Sequence, residues 1–172
     1  MAVGQYRRVL QIVGYQNSGK TTLAEKMIAY ASEQGLRVGA IKHHGHGGAP
    51  LSNLPKDSTR HAQAGALVSA VEGEGVVQLQ LAAHTVDLAA LLALYETAFL
   101  TNFTIVEGYK SECYQKVVLL KTPGDEKLLT LNNIVAAIYW PTFPRPHCTE
   151  FPCFALHDEA AYIPFLITKE GC

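Results

Sequence analysis

Residues 13–23 have the sequence VGYQNSGKTTL, a run of small and polar residues between two apolar stretches. Gly14 to Thr21 match G-x-x-x-x-G-K-[ST], the Walker A pattern of a phosphate-binding loop, or P-loop. Glycines let the backbone turn sharply and bring its N–H groups together, and the helix expected from Lys20 adds the positive end of its dipole. Lys20 can reach the β- and γ-phosphates, and the Thr21 hydroxyl can ligate Mg²⁺. The segment therefore predicts a cradle for a polyphosphate.

The residues on either side of the P-loop support this interpretation. RRVLQIVG before it is typical of a buried strand, KTTLAEKMIAYASEQG after it predicts a helix that ends at Gly35, and LRVGAIK predicts a second strand. A strand, a helix and a strand in this order form a βαβ unit, which implies parallel strands and a right-handed crossover. The competing interpretation is a helix start that contains glycine and lysine by chance. It does not account for this context.

The remaining sequence continues to alternate between helices and strands. KDSTRHAQAG predicts a short helix with Asp57 or Ser58 as N-cap and Gly65 as its end, and ALVSAVEGEGVVQLQL predicts a β-hairpin. Asp87 is expected to cap a helix over LAALLALYETAF. FTIVEG, KVVLLK and NIVAAIY are typical of buried strands, and DEAAYIPFLITKEG of a last helix. We expect residues 1–172 to form one P-loop nucleotide-binding domain, a three-layer α/β fold with a mostly parallel central sheet and one early hairpin.

Composition limits the classes of function. A formal net charge of −1 gives no global attraction for nucleic acid or an anionic membrane, so neither is an expected partner. The N-terminal apolar stretch is too short for a signal peptide, and the apolar run near residue 90 is interrupted by Asp87 and Glu96, so we expect a cytoplasmic location. The four cysteines form no CxxC pair, which favours free thiols. They are Cys113, Cys148, Cys153 and Cys172.

Two carboxylates are candidates for the Mg²⁺ side of a bound nucleotide. Glu107 ends the strand FTIVE, and because the carboxyl ends of parallel strands share one edge of a sheet, we expect it on the same rim as the P-loop. Asp57 follows the second strand and could orient water near the γ-phosphate. Each has a plainer interpretation: Glu107 could be a surface residue that ends a strand, and Asp57 could simply cap its helix.

Three motifs after the P-loop, AIKHHGHGG, KDSTRHAQAGA and TIVEGYK, occur in an order that resembles the molybdopterin-guanine dinucleotide biosynthesis adapter family, MobB. The D-S-x-R element at Asp57 is also similar to the acid-bearing motif of signal-recognition-type GTPases, the wider class to which the family belongs. The resemblance implies a GTP-binding protein of molybdenum-cofactor biosynthesis that assists the guanylyltransferase MobA. It implies slow Mg²⁺-dependent GTP hydrolysis at most and a homodimer, and it leaves molybdopterin open as a ligand.

Carried over by position, the resemblance also implies roles for single residues. Mg²⁺ would be held by Thr21, Glu107 and Asp57, with the two carboxylates in catalytic roles. Lys42, His43 and His44 would lie on a mobile loop near the γ-phosphate or the partner's substrate. The residues that would hold the phosphates are Gly14, Asn17, Ser18, Gly19, Lys20, Thr21 and Thr22.

One feature expected of a GTP-binding protein is absent from the sequence. It contains no N-K-x-D motif for guanine recognition, and KTPGD at residues 121–125 is only distantly similar to this motif. Trp140 follows a buried strand and could stack on a base, although a hydrophobic contact is the simpler interpretation. The preference for guanine therefore depends on the resemblance and not on these residues.

A group of histidines raises an alternative function. His43, His44 and His46 lie within four positions, and because imidazole suits Ni²⁺ and Zn²⁺, a metal-insertion GTPase of the nickel type is the alternative. The same side chains could also bind phosphate or molybdopterin without a metal. A third hypothesis is a small-molecule kinase with Asp57 or Glu107 as base, but no arginine-rich lid segment is present. A weaker metal-site candidate with uneven spacing consists of His147, Cys148, Cys153 and His157.

Overall fold

The computed structural model describes residues 8–43, 56–81, 86–147 and 150–168, and over residues 56–59 it describes the backbone alone. The chain divides into two compact units, residues 1–45 with 95–172, and residues 46–94. The elements in chain order are β1 (Arg8–Val13), α1 (Lys20–Glu33), β2 (Val38–Lys42), α2 (Lys56–Gln63), β3 (Val68–Gly73), β4 (Val76–Leu81), α3 (Leu88–Ala98), β5 (Phe103–Glu107), β6 (Gln115–Leu120), a 3₁₀ helix (Pro123–Thr130), β7 (Ile134–Tyr139), β8 (Cys153–Ala155) and α4 (Glu159–Thr168).

The larger unit is built on a six-stranded sheet in the order β2-β5-β1-β6-β7-β8, and every neighbouring pair is parallel. All residues of β5 are buried, as are five of six in β6, which is typical of a parallel sheet covered on both faces. The strand order changes direction at β1, where open α/β sheets bind their ligands. The predicted three-layer α/β fold with a mostly parallel sheet is confirmed.

Two apolar clusters cover the two faces of this sheet. On one face, Met27 and Ala31 of α1 pack with Tyr162 and Leu166 of α4 and with side chains of β1, β5 and β6. On the other face, Leu128 of the 3₁₀ helix joins buried residues of β1, β6 and β7. The 3.6-residue period of α1 predicts its buried side, because residues three or four apart lie on one helix face. The first cluster holds α1, and with it the P-loop, against the sheet.

The smaller unit contains the predicted hairpin. β3 and β4 pair antiparallel, with Gly73 opposite Val76, so the connection has two residues. These are Glu74 and Gly75, whose φ angles of 52° and 78° are both positive, as a type I′ turn requires. One face of the hairpin is mainly apolar and exposed: the exposed fractions are 49% for Val68, 58% for Val77 and 45% for Leu79, and Glu72 lies on the same face opposite Val77. The sequence EGEG therefore predicts the turn correctly.

Several details of the helices differ from or agree with the predictions. The prediction of Asp57 or Ser58 as N-cap is wrong, because α2 begins at Lys56 and both residues lie within its first turn. Asp87 does cap α3, since the Ala90 N–H donates to its carboxylate at 2.8 Å. α4 continues through Pro164 to Thr168.

Over the described ranges, none of the helices combines the length and the apolar character needed to cross a membrane.

Asp125 fixes the turn between β6 and the 3₁₀ helix. Its buried carboxylate accepts hydrogen bonds from the N–H groups of Lys121 and Thr122, at 2.7 and 3.1 Å, and from the Thr122 hydroxyl at 2.9 Å. Burial acts to raise the pKa of this carboxyl, but the three hydrogen bonds and the charge of Lys127 outweigh it and hold the pKa below its ordinary value. Asp125 is therefore ionised in the folded protein at neutral pH, and its charge helps to hold this turn.

We expect Asp125→Asn to lower the free energy of unfolding by about 1–3 kcal/mol at neutral pH, because it weakens charge-assisted hydrogen bonds in a buried turn. The pKa of Asp125 is lower in the folded than in the unfolded chain, so the ionised group stabilises the fold fully above about pH 4. This contribution is lost as the pH falls through the folded pKa. Urea unfolding from neutral to acidic pH should show the gap between variant and wild type closing.

The exposed neighbour Glu126 provides the control. Glu126→Gln should unfold like the wild type at every pH, because its side chain is in solvent. A gap between Asp125→Asn and wild type that stays constant with pH would contradict the role assigned to the charge.

Candidate phosphate-binding site

The P-loop connects β1 to α1 through a tightly closed turn. Asn17 and Gly19 adopt left-handed backbone conformations, with φ of 57° and 95°. A Cβ added to Gly14 would lie 2.3 Å from Ser18 Oγ, so a larger residue at this position would force the buried Ser18 side chain out of place. Glycine at 14 and 19 is therefore required by close approach and by backbone conformation respectively. This is the compact loop that the Walker A pattern predicts.

Two side chains from outside the loop hold its carbonyl groups. Lys121 Nζ donates to the Asn17 carbonyl and Trp140 Nε1 donates to the Ser18 carbonyl, both at 2.9 Å. Lys121 Nζ also lies 4.7 Å from the centroid of the Trp140 ring, a cation–π contact that links the two side chains. Because N–H and C=O point in opposite directions across a trans peptide, a Ser18 carbonyl turned to Trp140 directs the Gly19 N–H to the other side.

Thr21, Lys42 and Glu107 meet at the first turn of α1. The Thr21 hydroxyl lies 3.0 and 3.1 Å from the two carboxylate oxygens of Glu107. Lys42 Nζ lies 3.1 Å from Thr21 Oγ1 and 3.4 Å from Glu107 Oε2. Strand register explains the meeting, because Glu107 is paired with Lys42 across β2–β5 and with Ile12 across β1–β5. The sheet thus places a buried carboxylate, a hydroxyl and an ammonium group side by side.

Lys20 lies within the same group of charges. Its Nζ donates to the Tyr15 carbonyl at 2.7 Å, which holds the ammonium group at the mouth of the loop. Burial lowers the pKa of Lys20, the Glu107 carboxylate opposes this, and the positive charge of Lys42 adds to the lowering. Two ammonium groups therefore share one carboxylate. Such an arrangement gains from an additional anion, and phosphate oxygens are the anions that a P-loop accommodates.

The loop after Glu107 is fixed by buried polar side chains. Gln11 Nε2 donates to the Tyr109 carbonyl at 2.7 Å, and Lys116 Nζ donates to the carbonyls of Glu112, Tyr114 and Asn132 at 2.8–2.9 Å. Lys116 is 1% exposed, and burial lowers its pKa. These bonds keep the carboxyl end of β5 in position beside the P-loop.

The residues expected on a mobile loop are placed only in part. Lys42 is the last residue of β2, and its side chain is bonded to Thr21, so it belongs to the sheet and not to a loop. The His43 N–H donates to the Glu107 carbonyl at 2.9 Å, and its ring centroid lies 4.6 Å from that of Tyr109. His44 and His46 lie outside the described residues, and the Asp57 side chain does too.

Neither metal-site candidate lies wholly within the described ranges, since His44 and His46 of one and Cys148 of the other are outside them. Within these ranges, no group of three His, Cys, Asp or Glu side chains is arranged to hold a metal ion. Cys113 is a free thiol, as expected, whereas Cys148 and Cys172 lie outside the described residues. A Mg²⁺ ion held by the P-loop needs a different donor set, namely a hydroxyl, a carboxylate and phosphate oxygens. Thr21 and Glu107 could supply the protein part of such a set, since their hydroxyl and carboxylate lie together.

The role of Lys121 could not be predicted from its local sequence, and that of Trp140 only as a hydrophobic or base contact. Each follows the end of a strand, β6 and β7 respectively, and only the strand order brings these ends next to the P-loop. The segment KTPGD at residues 121–125, only distantly similar to N-K-x-D, has a structural role next to the P-loop. Its aspartate caps a turn and its lysine holds a loop carbonyl.

Comparison with known proteins places this architecture in a family. The family model described as molybdopterin guanine dinucleotide synthesis protein B, MobB, matches residues 9–140. The chain is 44% identical over 166 residues to a probable molybdopterin-guanine dinucleotide biosynthesis adapter protein of Bacillus subtilis (strain 168), covering 94% of this chain and 92% of the relative. It is also similar to the crystal structure of Bacillus subtilis MobB, with a TM-score of 0.79, 40% identity and coverage of 95% and 99%.

A more distant structural neighbour is HypB from Helicobacter pylori in complex with nickel, with a TM-score of 0.50 and 19% identity, covering 96% of this chain and 87% of HypB. At this identity the likeness shows the fold alone. The family match, by contrast, includes the P-loop, Glu107 and Trp140 within its range. From sequence motifs, fold and comparison together, this chain belongs to the MobB family.

Proposed function

We propose that this protein is a GTP-binding adapter of molybdopterin guanine dinucleotide biosynthesis that assists the guanylyltransferase MobA and hydrolyses GTP slowly at most. The observation that carries the proposal is the meeting of Thr21, Lys42 and Glu107 at the first turn of α1, with the Lys20 ammonium group held at the mouth of the loop beside them. Membership of the MobB family supports the pathway, and a Bacillus subtilis relative is described as a probable adapter protein. A cytoplasmic location fits this role.

Each of these residues has a distinct task in nucleotide binding. Backbone N–H groups of the P-loop and the ammonium groups of Lys20 and Lys42 would neutralise the phosphates. Thr21 and Glu107 would hold Mg²⁺, whose charge stabilises the β- and γ-phosphates. Asp57 keeps the role on the Mg²⁺ side that the family implies. His43 and His44 keep their implied role at the γ-phosphate or molybdopterin.

Slow hydrolysis is consistent with the position of Glu107. A general base must have a free carboxylate within hydrogen-bonding reach of the attacking water. Both oxygens of Glu107 lie within 3.1 Å of the Thr21 hydroxyl, and one lies 3.4 Å from Lys42 Nζ. We therefore assign this carboxylate to Mg²⁺ binding and not to the role of general base. Such a protein would hold GTP as a ligand and not turn it over rapidly, which suits an adapter.

Calorimetric titration with GTP and Mg²⁺ tests nucleotide binding directly. Lys20→Ala should reduce GTP affinity about tenfold to a hundredfold, because it removes a charge-assisted contact worth roughly 1.5–3 kcal/mol. The thermal midpoint should stay close to that of the wild type, since no core volume is lost. Arg37→Ala provides the control, because Arg37 is an exposed cation beside the opposite end of β2. A wild type that bound no purine nucleotide would refute the proposal.

Glu107→Gln separates the Mg²⁺ role from binding. The amide preserves shape but removes the charge, so Mg²⁺-dependent GTP hydrolysis should fall by about tenfold or more while GTP affinity changes less. Single-turnover hydrolysis and calorimetry on the same preparation measure the two effects. Glu112→Gln, at an exposed carboxylate in the loop after β5, should change neither. Parallel loss of thermal stability and activity in Glu107→Gln would instead indicate a purely structural carboxylate.

A homodimer formed through the hairpin is part of the proposal. Two-stranded hairpins are marginally stable alone, and exposed strand edges invite pairing with another chain. The face that carries Val68, Val77 and Leu79 is exposed and mainly apolar, and a second copy would present the same face. Burying these side chains against each other would remove the exposed apolar area from water.

Val77→Lys should therefore shift the protein from dimer to monomer in sedimentation velocity, because it introduces a charge into the proposed apolar contact. Gln78→Lys is the matched control: it adds the same charge one residue along β4, where side chains point to the opposite face. Equal effects of the two variants, or a monomeric wild type, would exclude this dimer surface.

A further inference from the structure

A cavity of about 350 Å³ opens beside the P-loop, between α1 and the start of α4. Its volume falls within the range of small-molecule sites. Asn17, Gly19 and Thr22 belong both to the phosphate-binding segment and to the wall of the cavity, so the cavity lies directly beside the P-loop. The other walls are mainly apolar and include Leu119, Trp140, Leu156 and Tyr162. A ligand whose phosphates occupied the P-loop could place a flat, weakly polar group here.

The charged side chains that line this cavity are partly exposed to solvent. Lys26 of α1 and Glu159 of α4 form an ion pair, with side chains 42% and 43% exposed. An ion pair at this exposure contributes only about 0–1 kcal/mol, so Glu159 can exchange Lys26 for another donor at small cost. Among the described residues that line the cavity, Glu159 is the one carboxylate.

The floor of the cavity is uncharged. Tyr162 donates its hydroxyl to the Leu156 carbonyl at 3.1 Å. Burial, with a smaller effect from the nearby carboxylates of Glu159 and Asp158, raises the pKa of Tyr162 to about 12, so the phenol stays neutral at physiological pH. Aromatic and aliphatic side chains of this kind favour the faces of a planar ring, while a carboxylate at the edge is suited to N–H donors.

We propose that this cavity holds the ribose and base of the nucleotide and that Glu159 recognises guanine. Guanine presents N1–H and the N2 amino group side by side, and an ionised carboxylate, which only accepts hydrogen bonds, can bind both in parallel. Adenine presents the N1 lone pair in the corresponding place, which a carboxylate repels. This inference rests on the proposed function, because it takes the phosphates to lie in the P-loop.

The proposal also accounts for guanine recognition without an N-K-x-D motif. Asp125, the aspartate of the KTPGD segment, is 6% exposed and already accepts three hydrogen bonds from its own turn. It does not line the cavity, whereas Glu159 does. Glu159 is instead the specificity-determining residue, and it lies at the start of α4, the helix that follows β8.

Calorimetry with Mg²⁺ and three probes, GTP, ATP and inorganic tripolyphosphate, tests this assignment. Glu159→Gln should weaken GTP binding about tenfold to a hundredfold, since one of two charge-assisted hydrogen bonds is replaced by an unfavourable amide contact. Binding of ATP and tripolyphosphate should stay within about twofold of wild type, a change of only some 0.4 kcal/mol. Glu33→Gln, at an exposed position at the other end of α1, is the control and should leave all three affinities unchanged.

A second variant tests the cavity independently of Glu159. Leu156→Trp should fill part of the space and weaken both GTP and ATP, while unchanged tripolyphosphate binding shows that the fold and P-loop are intact. Equal losses of GTP and ATP affinity in Glu159→Gln, no loss at all, or a wild type without preference for GTP would overturn guanine recognition by Glu159. Undiminished GTP binding by a folded Leu156→Trp would overturn the cavity assignment. Failure of the proposed function looks different: tripolyphosphate would bind wild type and Lys20→Ala equally.

Discussion

β1 pairs in parallel with β5 on one side and with β6 on the other, and the site depends on this pairing. It places the P-loop at the centre of the carboxyl edge of the sheet, where neighbouring strands also end. β5 brings Glu107 to one side of the loop, and the segments after β6 and β7 bring Lys121 and Trp140 to the other. Without this strand order, the same residues would be too far apart to interact.

The two sides of the P-loop differ in polarity in the way that the two ends of a nucleotide differ. On the β5 side, Lys42, Thr21 and Glu107 form a compact charged group that suits phosphates and Mg²⁺. On the β6–β7 side, Lys121 is engaged by a loop carbonyl and the Trp140 ring, and the space beyond is mainly apolar. A ligand that spans both sides needs an anionic end and a planar apolar end.

The features that the sequence predicts well are those coded locally. The glycines and lysine of the P-loop, the apolar face of α1 and the hairpin turn at Glu74–Gly75 each depend on a few neighbouring residues. The contacts of Lys121 and Trp140 with the P-loop depend on strand order, which one sequence does not encode visibly. β8 has three residues, and the 3₁₀ helix has only two buried residues, Asp125 and Leu128, so neither produces a recognisable pattern.

Asp125 and Glu159 show why a residue type in a familiar spacing is a weak guide to its role. Both are carboxylates near the P-loop. Asp125 accepts three hydrogen bonds from its own turn, and these compensate for the loss of its hydrogen bonds to water. Glu159 has one exposed ion-pair partner and lines a cavity. A carboxylate can recognise a ligand only if its lone pairs are available at low cost. That availability depends on tertiary contacts, and these distinguish the two residues.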